Sequence, residues 1–193
     1  SFIYSGYTFD GYNWASGAVV TVKDDAPHKD ADLTGATYRY EVYPLENGAM
    51  AEKPLSDTTK LDVGTYAVKV IAKLTDGTTE LTGWGSLTIE PRTVIVTVGE
   101  NTKTYGTADP TLDYTTNLQA QTGQANVDSS TGFYTGDSVT GSLGRAPGED
   151  AQETGYDYTI GTFSAGSNYT VLLSTDTTFR ITQKSIGTDD LEK

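Results

Sequence analysis

Gly64-Thr65-Tyr66-Ala67-Val68 leads on to Gly83-Trp84-Gly85-Ser86-Leu87-Thr88-Ile89-Glu90-Pro91-Arg92, and Gly155-Tyr156-Asp157-Tyr158-Thr159 leads on to Thr178-Phe179-Arg180-Ile181-Thr182-Gln183-Lys184. In both passages a Gly-led Tyr segment is followed by one that ends in Leu or Phe, a spacer residue, then Ile. The two copies lie roughly ninety residues apart, a period that marks tandem modules. Working outward, Tyr38, Tyr40 and Val42 alternate with Arg39 and Glu41, and Tyr66, Val68 and Val70 alternate with Ala67 and Lys69. A period of two signals strands with one buried face.

The same pattern fills the rest of the chain. Ala18–Lys23 is a β-branched run, and Thr93-Val94-Ile95-Val96-Thr97-Val98 is the strongest strand signal. Leu112 and Tyr114, then Tyr156, Tyr158 and Ile160, then Tyr169, Val171 and Leu173, then Phe179 and Ile181 continue it. Asn47-Gly48 and Asp76-Gly77 are hairpin dipeptides, and Ala108-Asp109-Pro110 and Ala146-Pro147-Gly148 are further turn signals. No window carries a 3.6-residue apolar period; single helical turns near Ala49–Lys53 or Thr111–Tyr114 remain open.

Net charge and cysteine count narrow the function classes. The 193 residues carry a formal charge of −13, which repels phosphate backbones and disfavours nucleic acid and anionic membranes as partners. There is no Cys, so disulfide staples and thiolate metal sites are excluded. No apolar run approaches the ~20 residues of a membrane helix, so no membrane insertion is expected of this stretch. Nothing at the N-terminus resembles a signal peptide; a secreted parent would carry its leader and anchor elsewhere. Thirteen Tyr, five Phe and two Trp supply the core of modules too small to close on aliphatic residues alone.

The module boundary is placed at Ile89-Glu90-Pro91-Arg92, which gives a first module at 1–91, a second at 92–184, and a tail at 185–193 leading into a further module. The join has no Ser/Gly spacer and carries a Pro, which favours a stiff, extended arrangement. The polar stretch Asn117–Gly132 reads as a surface loop or hairpin extension, either a tolerated insertion or a binding loop.

Thr104-Tyr105-Gly106-Thr107-Ala108-Asp109-Pro110-Thr111-Leu112-Asp113-Tyr114 resembles the opening of the MBG repeat (YGX type) of large bacterial surface proteins. Gly136–Leu143, Arg145-Ala146-Pro147-Gly148-Glu149-Asp150, Gly155–Ile160 and Phe163–Tyr169 continue that resemblance in order. It departs at Asn117–Gly132 and at Ala151-Gln152-Glu153-Thr154. Tyr7–Gly11, Leu33–Tyr38 and Val63–Tyr66 look like bacterial Ig-like surface repeats. The resemblance implies a stalk or adhesin segment of an exported, cell-wall-associated protein at the bacterial cell surface, and transfers no catalytic residue. Without the family, Gly106 permits a bend while the Tyr105 ring packs inward, and Pro110 sets up the Leu112/Tyr114 strand.

Chemistry-bearing residues are few. His28, the only His, sits in a polar loop without a nucleophile or acid partner. Asp24, Asp25, Asp30 and Asp32 cluster as calcium candidates, though not in EF-hand spacing; Glu149, Asp150 and Glu153 form a second acidic group. Adjacent carboxylates in a Pro-Gly loop do not make a glycosidase pair, which needs a fixed separation across a cleft. Lys103 and Asn168 are nominal partners for an intramolecular isopeptide bond, which requires a buried neutral amine. Trp14 and Trp84 are the candidates for stacking on a ligand, with exposure as the criterion.

The expectation is therefore an all-β protein of two tandem β-sandwich (Ig-like) modules, with a β-grasp-like second module as the alternative. Its expected role is structural, spacing and stiffening a surface protein next to neighbouring modules of the same chain. The alternative is an adhesin module for host glycans or glycoproteins. No enzyme activity and no cofactor are expected.

Overall fold

The computed structural model describes residues 2–3, 12, 14–15, 19–20, 31–121 and 125–187, which divide into two compact units, Ser1–Arg92 and Thr93–Lys193. Regular structure is almost entirely β, as the alternation demands, with several sheets compatible with β-sandwich modules.

In the first unit the described strands form one sheet. They are β1 (Phe2–Ile3), β2 (Val19–Val20), β3 (Thr37–Glu46), β4 (Ala49–Met50), β5 (Gly64–Lys73) and β6 (Glu80–Ile89), in the order β2-β1-β6-β5-β3-β4. The centre is an antiparallel meander of β3, β5 and β6. Its register puts Val42 opposite Val68, Tyr40 opposite Val70 and Tyr66 opposite Leu87, so one face collects the apolar side chains. Val42, Val68 and Leu87 are fully buried there, each stabilising the unit by about 1.5–3 kcal/mol relative to exposure. Asn47, at a φ of 50°, and Gly48, at 80°, turn β3 into β4, as an Asn-Gly hairpin requires. The β3 edge continues to be bonded beyond β4, by Ala51 N to Pro44 O (3.0 Å) and Leu55 N to Val42 O (2.8 Å).

The second unit contains β7 (Arg92–Val98), β8 (Asn101–Thr104), β9 (Tyr114–Thr116), β10 (Gly144–Arg145), β11 (Tyr158–Thr159), β12 (Tyr169–Leu173) and β13 (Phe179–Thr182). They form a β12-β7-β9 sheet and the pairs β10-β11 and β13-β8. β7 alternates perfectly, with Val94, Val96 and Val98 buried. β8 and β13 run parallel, Asn101 opposite Phe179 through to Thr104 opposite Thr182.

The chain passes from the sheet of β7 to that of β8 through Gly99 and Glu100, where neither ladder satisfies the backbone. The Tyr158 hydroxyl does so instead. It donates to Gly99 O (2.9 Å) and accepts from Asn101 N (2.9 Å). Asn117 performs a similar service for β7 beyond the end of β9: its Oδ1 accepts from Ile95 N (2.8 Å) and its Nδ2 donates to Thr93 O (3.3 Å). Both side chains thus extend the strand bonding past the ends of the ladders, at main-chain positions that are exposed or half-buried.

Three local expectations are corrected. Neither Ala49–Lys53 nor Thr111–Tyr114 is helical; a short 3-10 helix covers Asn117–Gln121 instead. The polar insertion is not merely superficial, because Leu118 is buried and Val127 bridges Tyr134. Gly132, at a φ of 79°, lies so close to Leu118 that a Cβ there would stand 1.8 Å from its carbonyl oxygen. Tyr105 does not pack inward but is 51% exposed. The turn closed by Thr107 N to Thr104 O (3.1 Å) ends β8 before the ring reaches the core.

Candidate functional site

In the second unit the recurrent motif residues converge. Arg145, on β10, lies with its guanidinium over the rings of Phe179 (4.7 Å) and Tyr156 (5.1 Å). Its Nε and Nη2 form a two-pronged pair with Asp109 (2.6 and 3.0 Å), and Nη2 also reaches Glu149 Oε1 (2.9 Å). Nη1 donates to Ala146 O (3.0 Å) and Gly148 O (2.7 Å). A guanidinium has five N–H donors, and five bonds are made.

Lys103, on β8, completes the cluster. Its ammonium reaches Asp109 Oδ1 (2.7 Å) and Glu149 Oε2, with the side chain only 4% exposed. Two cations therefore face two carboxylates. The Arg145 guanidinium, ahead of Lys103, holds the Asp109 carboxyl down to about 2, against burial, which pushes it the other way. Lys103, and then Arg145, lower Glu149, while Asp109 and then Glu149 raise Lys103. The arrangement keeps Lys103 charged, which contradicts an isopeptide role, since that chemistry needs a neutral amine. It also ties Glu149 into ion pairs, whereas the main chain of Asp150 accepts from the Tyr156 hydroxyl (2.8 Å). Chemically the cluster is a lock: it joins β8, the Asp109 turn and the Arg145–Glu149 loop over the Phe179 ring.

In the first unit the outer face of the meander gathers a different set. Direct pairing places Glu41, Lys69 and Trp84 in one row and Tyr43, Ala67 and Ser86 in the next. The Trp84 and Tyr43 rings, from strands on either side of β5, meet with centroids 5.3 Å apart and planes tilted by 48°. They meet across β5, where Ala67 offers only a methyl group. The Tyr43 hydroxyl donates to Glu41 Oε2 (3.1 Å), and Lys69 Nζ stands 4.0 Å from the same oxygen. Partial burial, and then the Glu41 carboxylate, push the Tyr43 hydroxyl up. Trp84 is 46% exposed.

The other candidates fare differently. Trp14 is 7% exposed; its Nε1 donates to Thr58 O (2.8 Å) and its ring meets Tyr40 edge-on at 5.7 Å. It is a core residue, and burial removes it as a stacking surface. The Thr34 side chain, and then its main-chain N–H (2.9 Å from Asp32 Oδ1), lower the Asp32 pKa. Asp24, Asp25, Asp30 and His28 lie outside the described residues. Among the described residues no three His, Cys, Asp or Glu side chains are grouped to hold a metal ion. No helix among them is long and apolar enough to cross a membrane.

Sequence reasoning missed the convergence of Lys103, Asp109, Arg145 and Glu149. One signal was present: the alternation along β8 turns Lys103 inward, and an inward Lys requires carboxylate partners.

Residues 94–180 match the family model of the MBG domain (YGX type). No curated protein and no solved structure matches the chain. The match spans β7 to the Phe179–Arg180 end of the second unit, and so contains all four members of the ion cluster.

Proposed function

We propose that this chain, whose residues 94–180 match the MBG domain (YGX type), is a structural repeat segment of an exported bacterial surface protein, whose work is to bear load rather than to catalyse. Domain type supports the setting, outside the cell on a surface protein. The load-bearing part rests on one observation, the parallel pairing of β8 with β13. β8 lies near the start of the second unit and β13 at its end. Because they are parallel, the chain arrives at the beginning of one and departs from the far end of the other. Tension between the unit's ends then slides β13 along β8, loading four residue pairs together instead of peeling them singly. Lys103, on β8 itself, anchors that strand to the Arg145 lock.

Single-molecule pulling on the whole chain tests this. The second unit is expected to release as one step of about 30 nm, from roughly ninety residues at ~3.4 Å each. Arg180→Pro, which removes a ladder N–H from β13, is expected to lower the force of that step and leave the other unit's step alone. Equal forces in the two proteins, or gradual lengthening without a step, would refute the load-bearing role.

A further inference from the structure

We infer that the outer face of the β3-β5-β6 meander is a binding platform for a neutral polysaccharide, on which the Trp84 indole stacks against a pyranose ring while Glu41 and Lys69 bond its hydroxyls. The inference stands apart from the load-bearing role, since it concerns only the first unit.

An aromatic pair stands on the outer face of the meander. Val42 of β3, Tyr66, Val68 and Val70 of β5 and Leu87 and Ile89 of β6 turn to the inner face, whereas Ile71, Tyr43 and Trp84 stand on the outer one, where Ile71 is buried and Trp84 is exposed. Tyr43 is partly covered by its neighbours, and Trp84 leans on it with nearly half its surface in water. The Tyr43 hydroxyl bond to Glu41 fixes the supporting ring, so the indole is presented in one orientation without an ordering cost at binding.

A pyranose matches this surface chemically. One face of the ring carries C–H groups, which suit the negative face of an indole, while its rim carries hydroxyls that need donors and acceptors. Glu41 and Lys69 supply both, from the same row as Trp84. The surroundings are Thr82, Ser86 and Thr88, all exposed and hydroxylated.

A second protein is the weaker fit. A stable interface needs about 800 Å2 per partner around an apolar centre, and here the apolar centre is two rings inside a polar frame. Charge decides between neutral and acidic glycans. Lys69 lies against Glu41, and Arg39 against Glu80 (3.4 Å) and Glu41 (3.8 Å), so no excess positive charge is left for a sulfate or carboxylate. The −13 of the whole chain repels anionic polymers as well.

The test is a titration of the full chain with defined tetra- to hexasaccharides of glucose, mannose, galactose and xylose, followed by the two indole N–H resonances. A saturable shift of the Trp84 resonance is expected with at least one series, the buried Trp14 resonance staying still. Trp84→Ala should weaken that binding at least about tenfold while the melting temperature holds, because the ring is on the surface. Trp84→Tyr should keep part of it, which guards against a folding defect in the alanine variant. Three results overturn the proposal: no Trp84 shift with any series up to roughly 20 mM, well above a millimolar-class Kd; binding that survives Trp84→Ala; or a Trp84 shift that follows protein concentration or an anionic polymer such as heparin, and not the neutral sugars.

Discussion

Replacing Arg145 by Ala opens the lock of the second unit, and its cost can be worked from the contacts. The guanidinium is mostly buried, and removing one member of a buried charge cluster costs about 3–5 kcal/mol. The carboxylates it leaves behind are partly open to water, Asp109 by 41% and Glu149 by more, so rehydration recovers part of that. Loss of the cation from the Phe179 and Tyr156 faces adds about 1 kcal/mol. The Ala146 and Gly148 carbonyls lose their donor too. A net destabilisation of about 3 kcal/mol follows, which for a unit of this size lowers Tm by about 12–24 °C. Arg145→Lys should recover little of it, because an ammonium cannot grip Asp109 with two prongs. The assay is thermal unfolding read at two wavelengths. Both Trp residues, 14 and 84, belong to the first unit, so Trp fluorescence reports that unit, and near-ultraviolet tyrosine dichroism follows the second as well. The Tyr-detected transition should fall and the Trp-detected one should hold. A fall of less than about 3 °C, or equal movement of both transitions, would refute the reasoning.

Other consequences follow from the same contacts. Asp109 has a folded pKa of about 2 against an ordinary 3.8, so its support is present above pH 3.8 and is lost as pH falls toward 2. The shift corresponds to about 2 kcal/mol at face value, and to about 1 kcal/mol once screening at a group 41% exposed is allowed for. Acid titration of the second unit's stability, reduced in Asp109→Asn but not abolished because the Glu149 carboxyl is held down too, checks it. Lys103 works in the opposite sense: its folded pKa is raised above 10.5, so its support is full below that pH and fades as pH climbs through the higher value, a loss that Lys103→Met should abolish. Gly148→Ala should destabilise the second unit by about 2–4 kcal/mol in a denaturant melt, because at a φ of 137° the added Cβ would stand 2.4 Å from the Tyr156 ring. Asn117→Ala should cost about 0.5–1 kcal/mol, since water can take over the exposed Ile95 N and Thr93 O that the side chain bonds.

Sequence and structure agree where periodicity carries the information. Thr93–Val98 reads as a strand from its β-branched run and Tyr38–Val42 from its alternation; Val94, Val96 and Val98 are buried in the one, and Val42 is buried beside half-buried Tyr38 and Tyr40 in the other. Of the two stacking candidates Trp84, between Gly83 and Gly85, is the one to inspect first, but its exposure depends on register, which sets it opposite Lys69 on the outer face. Trp14 instead meets Tyr40 from a segment with no repeating pattern. The lock was hidden for a related reason. Its members at 103, 109, 145 and 149 lie in three segments of chain, and only the β8-β13 and β10-β11 pairings, together with the Tyr156–Phe179 bridge, bring them over one ring. The Asn117–Gly132 stretch reads as a surface loop because its anchors, Leu118 and Asn117, are single residues in a polar context.

The most direct test of the central claim, that the last strand of the second unit is clamped to an early one, is native-state hydrogen exchange on the intact chain. Amides of β8 and β13 are expected to exchange as slowly as those of Val94–Val98, all through one opening of the whole unit. Residues 179–182 exchanging well ahead of β7, as a fraying terminal strand would, contradicts it.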